Sequence, residues 1–159
     1  MEVVVREASQ SDYEAVCALF VQLDQLHAQA LPDLFQPVAG PARPREYFAH
    51  MLADEEGAAF VAVHQGALVG LLRCSVRSAP NLPLFVPRRF VSIDDLVVAA
   101  AFQGTGIGRL LMERAHQWAR DRGALEVELV VWEFNASARA FYERQGYQTV
   151  RRVMRTRLA

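Results

Sequence analysis

Lysine is absent from this sequence, since all 17 basic residues are arginines. A phosphate-binding P-loop requires a lysine after its last glycine, so this absence excludes an enzyme of the P-loop type. The dinucleotide fingerprint G-x-G-x-x-G fails as well, because its third glycine would fall at Arg109. The glycine-rich segment of the chain is therefore neither of these two familiar phosphate loops.

Cysteine is scarce, and the two cysteines, Cys17 and Cys74, do not form a C-x-x-C pair. That spacing is the usual signal for a zinc site or a redox pair, and without it we predict two buried free thiols. His50, His64 and His116 show no ligand spacing either. The sequence therefore predicts no metal site.

Neither a strong net charge nor a long apolar run is present. The net charge is −1, whereas a general nucleic-acid-binding protein needs a clear positive excess. No apolar run reaches the roughly 18 residues of a membrane span, and the N-terminus lacks the charge pattern of a signal peptide. We therefore predict a cytoplasmic protein without nucleic-acid or membrane partners.

The length and composition fit one globular domain over residues 1–159. Apolar residues make up 52% and charged residues 22%, and no linker or internal repeat divides the chain. A capping box formed by Ser11 and Glu14 is predicted to start the first helix. Periodicity and turn residues predict strands over residues 2–8, 58–64, 67–77, 89–98, 125–132 and 147–158, and helices over residues 11–30, 44–53, 107–122 and 135–145.

These elements follow the order βααβββαβαβ. Hairpins and crossover helices occur in the same chain, which predicts an α/β (α+β) fold. We expect a twisted mixed sheet, mostly antiparallel, with helices on both faces.

The segment from Val91 to Met112 carries the most distinctive pattern. A strand holding adjacent carboxylates, Asp94 and Asp95, leads towards the glycine-rich turn at residues 103–108, and an amphipathic helix follows at once. Backbone N–H groups point outward at such a turn, and the dipole of the following helix favours negative charge. The segment therefore predicts an anion site, with a ligand-free helix entry as the alternative.

This turn resembles a loop of the GNAT superfamily of N-acetyltransferases. Gln103, Gly106 and Gly108 match Q-x-x-G-x-G/A, which in that family binds the pyrophosphate of acetyl-coenzyme A. A second segment, Asn135 to Tyr147, resembles the family's N…(A)xxFYxxxGF stretch. Both motifs occur in the family's order, and the order of the elements also resembles the family fold.

The resemblance implies a GNAT-type three-layer fold and an N-acetyltransferase activity. Such an enzyme moves acetyl from acetyl-coenzyme A to a primary amine by direct attack in a ternary complex. Arg109 could instead lie on a solvated helix face, and Asn135 could serve only as a helix cap. The implied cofactor-binding residues are Val98, Gln103, Gly104, Gly106, Ile107, Gly108, Arg109 and Asn135.

Amide formation needs groups that move protons. A primary amine with a pKa near ~10.4 must lose a proton, which a carboxylate can accept directly or through a water. The departing thiolate needs a proton, which a phenol can donate. The resemblance favours Asp94 as base, with Asp95 as its competitor, and Tyr142 as acid. The alternatives are aspartates that pair with arginines and a tyrosine that only packs.

Adjacent residues on a strand point to opposite faces of a sheet. We therefore expect only one of Asp94 and Asp95 to face the substrate.

The sequence does not name the acceptor. The family resemblance implies that the acceptor side is lined by the first two helices with their loop and by the head of the strand over residues 89–98. Acids outnumber arginines in these segments, so we expect a cationic amine, such as a polyamine, an aminoglycoside-like molecule or a lysine or peptide amine. A homodimer is also compatible with the sequence. A non-catalytic acyl-coenzyme A sensor or an interaction module on the same fold is the alternative function. The acids are Asp24, Asp33, Asp54, Glu55, Glu56, Asp94 and Asp95, and the arginines are Arg43, Arg45, Arg88 and Arg89.

Overall fold

A computed structural model describes residues 2–158 of the chain. The chain divides into two compact units, Met1–Leu129 and Val130–Ala159, and each is described by itself. The single domain expected over residues 1–159 stays a prediction.

The described part of the first unit contains one five-stranded sheet in the order β1-β2-β3-β4-β5. Neighbouring strands from β1 to β4 are antiparallel, and β4 and β5 are parallel, so the predicted mixed and mostly antiparallel sheet is confirmed. The strands are β1 Val4–Glu7, β2 Gly57–His64, β3 Ala67–Ser78, β4 Arg89–Val98 and β5 Glu126–Leu129. The helices are α1 Tyr13–Ala30, α2 Arg45–Ala53 and α3 Ile107–Asp121.

The second unit contains the helix α4, Ala136–Arg144, and its described residues form no strand. This differs from the predicted final strand over residues 147–158, which has no regular structure within the unit taken by itself. A strand is defined by its pairing, and this unit offers no second strand to complete a ladder.

Helices cover both faces of the sheet in the first unit, as predicted. Val61 and Leu71 belong to a core cluster with residues of α1 and α2. The Cζ atom of Arg114 on α3 lies 4.5 Å from the centroid of the Phe60 ring. Because side chains alternate along a strand, Phe60 and Val61 point to opposite faces. Helices α1 and α2 therefore cover one face, and α3 covers the other.

Helix α3 approaches the sheet closely at Gly70 on β3. A Cβ atom at Gly70 would lie 3.0 Å from Leu111 Cδ1 and 3.1 Å from Ile107 Cγ2, which is tighter than ordinary van der Waals contact. Gly70 is also the cross-strand partner of Val98, the last residue of β4. The missing side chain therefore lets the first turn of α3 rest next to the end of β4.

The start of α1 differs from the prediction. The capping box lies at Ser9 and Asp12 rather than at Ser11 and Glu14. The backbone N–H of Ser9 donates to Asp12 Oδ2 over 2.7 Å. A single turn of 3-10 helix, Gln10–Asp12, then leads into α1.

We predict that Gly70→Val destabilises the protein by about 1–3 kcal/mol, because the added side chain would overpack the contact with α3. Ala67→Val is the matched control, since Ala67 is an exposed residue of the same strand and should change stability by less than about 0.5 kcal/mol. Urea unfolding of both variants measures the difference. Equal unfolding midpoints would show that α3 does not rest on Gly70.

Candidate active site

The pairing of β3 with β4 is irregular at Asp94. Arg73 pairs with Asp95, and the next residue of β3, Cys74, pairs with Ile93. Asp94 is therefore an extra residue on β4 with no cross-strand partner, which is the arrangement of a β-bulge. Bulges commonly redirect side chains at functional sites.

The bulge places both carboxylates on the same face of the sheet. Arg73 Nε donates to Asp95 Oδ2 over 2.5 Å, and Ser75 Oγ donates to Asp94 Oδ2 over 2.9 Å. Arg73 and Ser75 alternate with Cys74 along β3, so their side chains share one face. The expectation that Asp94 and Asp95 point to opposite faces is wrong, because it assumed a regular strand.

Asp95 is held in a buried ion pair on the face covered by α1 and α2. The Arg73 and Asp95 side chains are 19% and 13% exposed, and Arg73 Nη1 also donates to the hydroxyl of Tyr47 on α2 over 3.2 Å. Burial raises the pKa of the Asp95 carboxyl above its usual value, although the Arg73 guanidinium opposes this shift. Asp95 is therefore fixed in position, because Arg73 donates a hydrogen bond to its Oδ2 atom.

Asp94 is the more accessible of the two carboxylates. Its side chain is 23% exposed. The Nη2 atom of Arg77 lies 3.9 Å from Asp94 Oδ1, which is a long distance for an ion pair. Asp94 also lines a cavity of about 30 Å³ together with Ser75, Asp54 and Met51. A cavity of this size holds about one water molecule, so a water can reach the carboxylate.

Arginines offset part of the acidic charge expected on this side. Asp24 pairs with Arg43 over 2.6 Å, and β3 adds Arg73 and Arg77 to the face of the two aspartates. Arg73 and Arg77 are not among the arginines expected on the acceptor side. Both arginines alternate along β3, the antiparallel neighbour of β4, and this pattern could have identified them from the sequence. The acidic excess behind the expected cationic acceptor is therefore smaller than the sequence suggests.

The second half of β4 has an open edge within the first unit. β5 pairs with β4 only from Phe90 to Ile93, so among the described residues of this unit residues 95–98 pair with β3 alone and Asp94 pairs with neither strand. The carbonyl of Val98 accepts a hydrogen bond from Gln103 Nε2 over 3.2 Å. The open edge thus runs from the carboxylates to the glycine-rich loop.

The glycine-rich loop presents backbone N–H groups. Gly104 and Gly106 have φ values of +76° and +92°, a region that residues other than glycine rarely adopt. A Cβ atom at either glycine would meet no protein atom within 4 Å. In the part of the chain from residue 2 to 158, the N–H groups of residues 104–109 donate to no protein acceptor. Free donors at a helix N-terminus form an anion site.

Arg109 follows this loop on the first turn of α3. Its Nε atom pairs with Glu113 Oε1 over 2.7 Å, one turn further along, and its side chain is 74% exposed. These contacts are those of a solvated helix face. A role of Arg109 toward a bound anion stays a prediction.

The second unit holds the other two predicted site residues. Asn135 caps α4, because its Oδ1 atom accepts a hydrogen bond from the Ala138 N–H over 3.0 Å. The Tyr142 ring lies 5.2 Å from the Phe141 ring and 5.8 Å from the Tyr147 ring, measured between centroids. Burial raises the pKa of Tyr142 to about 12. The capping role of Asn135 is confirmed, and the acid role of Tyr142 stays a prediction.

Residues 2–158 contain neither a candidate metal-binding cluster nor a helix that could span a membrane. No group of three or more histidine, cysteine, aspartate or glutamate residues there could hold a metal ion. No helix in that part of the chain is both long enough and apolar enough to span a membrane.

We predict that Arg73→Met destabilises the protein by about 3–5 kcal/mol, because it leaves Asp95 buried without its partner. Asp95 already has a raised pKa, so the folded state binds its proton more tightly than the unfolded state does. Stability therefore falls as the pH rises from the ordinary aspartate range through the raised value. Loss of Arg73 should enlarge this fall and extend it to higher pH.

Urea unfolding at about pH 5 and about pH 8 measures this effect. The control is the double variant Arg73→Met with Asp95→Leu, which removes both charges. It should recover most of the stability and lose the extra pH dependence. An Arg73→Met protein as stable as the original at both pH values would contradict a buried pair.

Comparison with known proteins identifies the family of this chain. The profile of the acetyltransferase (GNAT) family matches residues 21–147. An uncharacterized N-acetyltransferase of Methanocaldococcus jannaschii is 33% identical over 104 residues, which are 65% of this chain and 45% of that protein. Streptothricin acetyltransferase of Streptomyces lavendulae is 40% identical over 95 residues, which are 59% of this chain and 46% of that protein. The matched part of this chain thus spans less than half the length of these two relatives.

A solved structure extends the likeness to the whole chain. A mutant of the BH1408 protein from Bacillus halodurans superposes with a TM-score of 0.93 at 29% identity, covering 98% of this chain and 99% of that one. The family profile covers most of the sequence, including the two carboxylates, the loop and Tyr142. The chain belongs to the acetyltransferase (GNAT) family.

Proposed function

We propose that this protein is an N-acetyltransferase that transfers acetyl from acetyl-coenzyme A to a primary amine. One observation carries the proposal. A single segment of the first unit, residues 94–109, contains an accessible carboxylate, an open strand edge and a row of free N–H groups at a helix N-terminus. These are the parts that amide formation from a coenzyme A thioester requires, in the order of the chain.

The loop residues fit acetyl-coenzyme A. Its pyrophosphate carries negative charge, and the N–H groups of residues 104–109 are donors without protein acceptors among residues 2–158. The positive φ values of Gly104 and Gly106 and the open space beside them allow a phosphate to approach the backbone. When bound, acetyl-coenzyme A supplies an acetyl group activated as a thioester. Gln103, Gly104, Gly106, Ile107 and Gly108 would hold it, with Val98 and Asn135 beside its amide-bearing arm.

Asp94 is the base in this proposal. It is more exposed than Asp95, lines a cavity of about one water in volume, and has only a loose arginine neighbour. Asp95 is instead committed to Arg73 at 2.5 Å. Asp94 takes a proton from the acceptor ammonium, directly or through a water, so that the neutral amine can attack. Asp95 then acts mainly by anchoring Arg73 on the same face.

Tyr142 is the proposed acid. As the carbon–nitrogen bond forms and the carbon–sulfur bond breaks, Tyr142 would donate its phenolic proton to the departing sulfur. The attacking nitrogen must lose a second proton to become an amide, and this proton would return to the phenolate of Tyr142, directly or through a water. A pKa of about 12 keeps the phenol protonated at neutral pH, so the proton is available. A backbone N–H of the open half of β4, with Val98 as the candidate, would stabilise the negative charge on the carbonyl oxygen.

The acceptor is proposed as a small primary amine or a peptide amine. Streptothricin acetyltransferase, one of the relatives, is named for a small-molecule acceptor. On the face of Asp94 the aspartates are balanced by Arg73 and Arg77, so this face does not by itself select a second positive charge. A cationic acceptor, such as a polyamine or an aminoglycoside-like molecule, therefore stays one class among the candidates.

The test is a panel of amines assayed for release of free thiol from acetyl-coenzyme A. The panel contains diamines, aminoglycosides, amino acids and lysine peptides, and calorimetry records cofactor binding in parallel. We expect saturable thiol release with at least one amine and none without an acceptor. Binding without turnover across the panel would favour a non-catalytic acyl-coenzyme A sensor. No binding at all would overturn the assignment of the loop.

We predict that Gly106→Ala weakens acetyl-coenzyme A binding at least ~10-fold, because a side chain there projects towards the phosphate and disturbs the N–H groups. Gly123→Ala is the matched control. Gly123 has φ of +71° and open space around its Cβ position, so both variants carry the same kind of backbone strain. Only Gly106→Ala should lose affinity by calorimetry. Unchanged affinity in a folded Gly106→Ala protein would remove the loop from the site.

A further inference from the structure

We infer that Ser75 is a positioning residue that holds the Asp94 carboxylate in the orientation needed to accept the proton of the amine. This inference rests on the proposed function and deepens it. It concerns a residue outside both sequence motifs. Ser75 lies on β3, and its hydroxyl donates to Asp94 Oδ2 over 2.9 Å.

Ser75 is an unusual residue for its location. The buried polar or charged residues among residues 2–158 are Asp12 and Ser75, each 8% exposed. Asp12 is accounted for by its two hydrogen bonds from Arg6 and by the cap of the turn before α1. Burying a hydroxyl costs free energy unless it finds a hydrogen-bond partner. The partner of the Ser75 hydroxyl is the Asp94 carboxylate.

The β-bulge explains why Asp94 needs this support. Asp94 has no cross-strand partner, and Ser75 itself pairs with Ser92. Arg77 is the other side chain near the carboxylate, but it lies at 3.9 Å and is 58% exposed. A loose, solvated ion pair fixes little geometry. The single strong side-chain contact that orients Asp94 is therefore the Ser75 hydroxyl.

The hydrogen bond also makes the two carboxylate oxygens of Asp94 inequivalent. Ser75 occupies Oδ2 of Asp94, and Oδ1 faces the loosely placed Arg77. The charged groups around Asp94 are Arg73 and Arg77 on β3, Asp95 on β4 and Asp54 beside the cavity. Arg73 is committed to Asp95, so its charge is largely matched. A donor on Oδ2 therefore fixes the plane of the carboxylate and leaves Oδ1 as the oxygen that can face an acceptor amine.

Three variants test this inference. Ser75→Ala deletes the hydroxyl, and Ser75→Thr keeps it, with a methyl group that the adjoining cavity of about 30 Å³ can receive. Ser92→Ala is the matched control, because Ser92 is the cross-strand neighbour of Ser75 and, among residues 2–158, it is Ser75 and not Ser92 whose hydroxyl donates to Asp94. Thermal unfolding checks that all three proteins fold.

The first measurement uses the protein without any ligand. Crystal structures of the original protein and of the three variants locate the Asp94 carboxylate. We expect the carboxylate to rotate away from position 75 or to occupy more than one orientation in Ser75→Ala, because it loses its hydrogen-bond donor. Ser75→Thr should restore the original orientation, and Ser92→Ala should keep it.

The second measurement is kcat and KM with an amine that is turned over. In Ser75→Ala we expect kcat to be lower by ~10-fold at neutral pH and the KM for acetyl-coenzyme A to be unchanged, and Ser75→Thr should restore kcat. A role in packing alone would lower stability without this selective loss of kcat.

The outcomes separate this inference from the proposed function. An unchanged Asp94 carboxylate in Ser75→Ala, or a reorientation that Ser75→Thr does not reverse, overturns the role of the hydroxyl even if the enzyme turns over. Absence of turnover in the original protein overturns the proposed function, while the crystal structures of the variants still decide whether Ser75 orients Asp94. An equal reorientation in Ser92→Ala would also contradict the inference.

Discussion

The irregular pairing of β3 with β4 is the constraint on which the candidate site depends. A regular ladder would send Asp94 and Asp95 to opposite faces. The extra residue instead turns both carboxylates towards the face covered by α1 and α2. There Arg73 donates a hydrogen bond to Asp95, and Ser75 donates one to Asp94. One carboxylate is thereby locked in an ion pair, and the other is left accessible. Two chemically identical side chains thus differ in exposure and in hydrogen-bond partners because of their environments alone.

A second constraint ties the loop to the same strand. Gly70 lacks the side chain that would keep Ile107 and Leu111 away, and it pairs with Val98 at the end of β4. The N-terminus of α3 therefore lies next to the strand that carries the carboxylates. Parallel pairing with β5 stops at Ile93, which leaves the intervening edge open within the first unit. The unbonded N–H groups of the loop, the open strand edge and the accessible carboxylate of Asp94 are in this way arranged along one continuous segment.

The sequence predicts those parts of the site that local patterns determine. The glycine-rich turn, the helix after it and the strand with two aspartates follow from composition and spacing, and the family follows from two motifs. The bulge was missed because register depends on β3, which is distant in sequence from Asp94. Arg73, Ser75 and Arg77 were missed for the same reason, since their importance arises only from pairing. The final strand over residues 147–158 was predicted from alternation, but pairing requires a partner that the second unit by itself does not contain.

A crystal structure of the protein with coenzyme A and an amine acceptor tests the central claim most directly. The account predicts that pyrophosphate oxygens lie within about 3.2 Å of the N–H groups of residues 104–109. It also predicts both carboxylates on one face, with the amine nitrogen next to Asp94, directly or through one water. A regular β3–β4 ladder with Asp94 facing α3, or a pyrophosphate bound away from the loop, would contradict it.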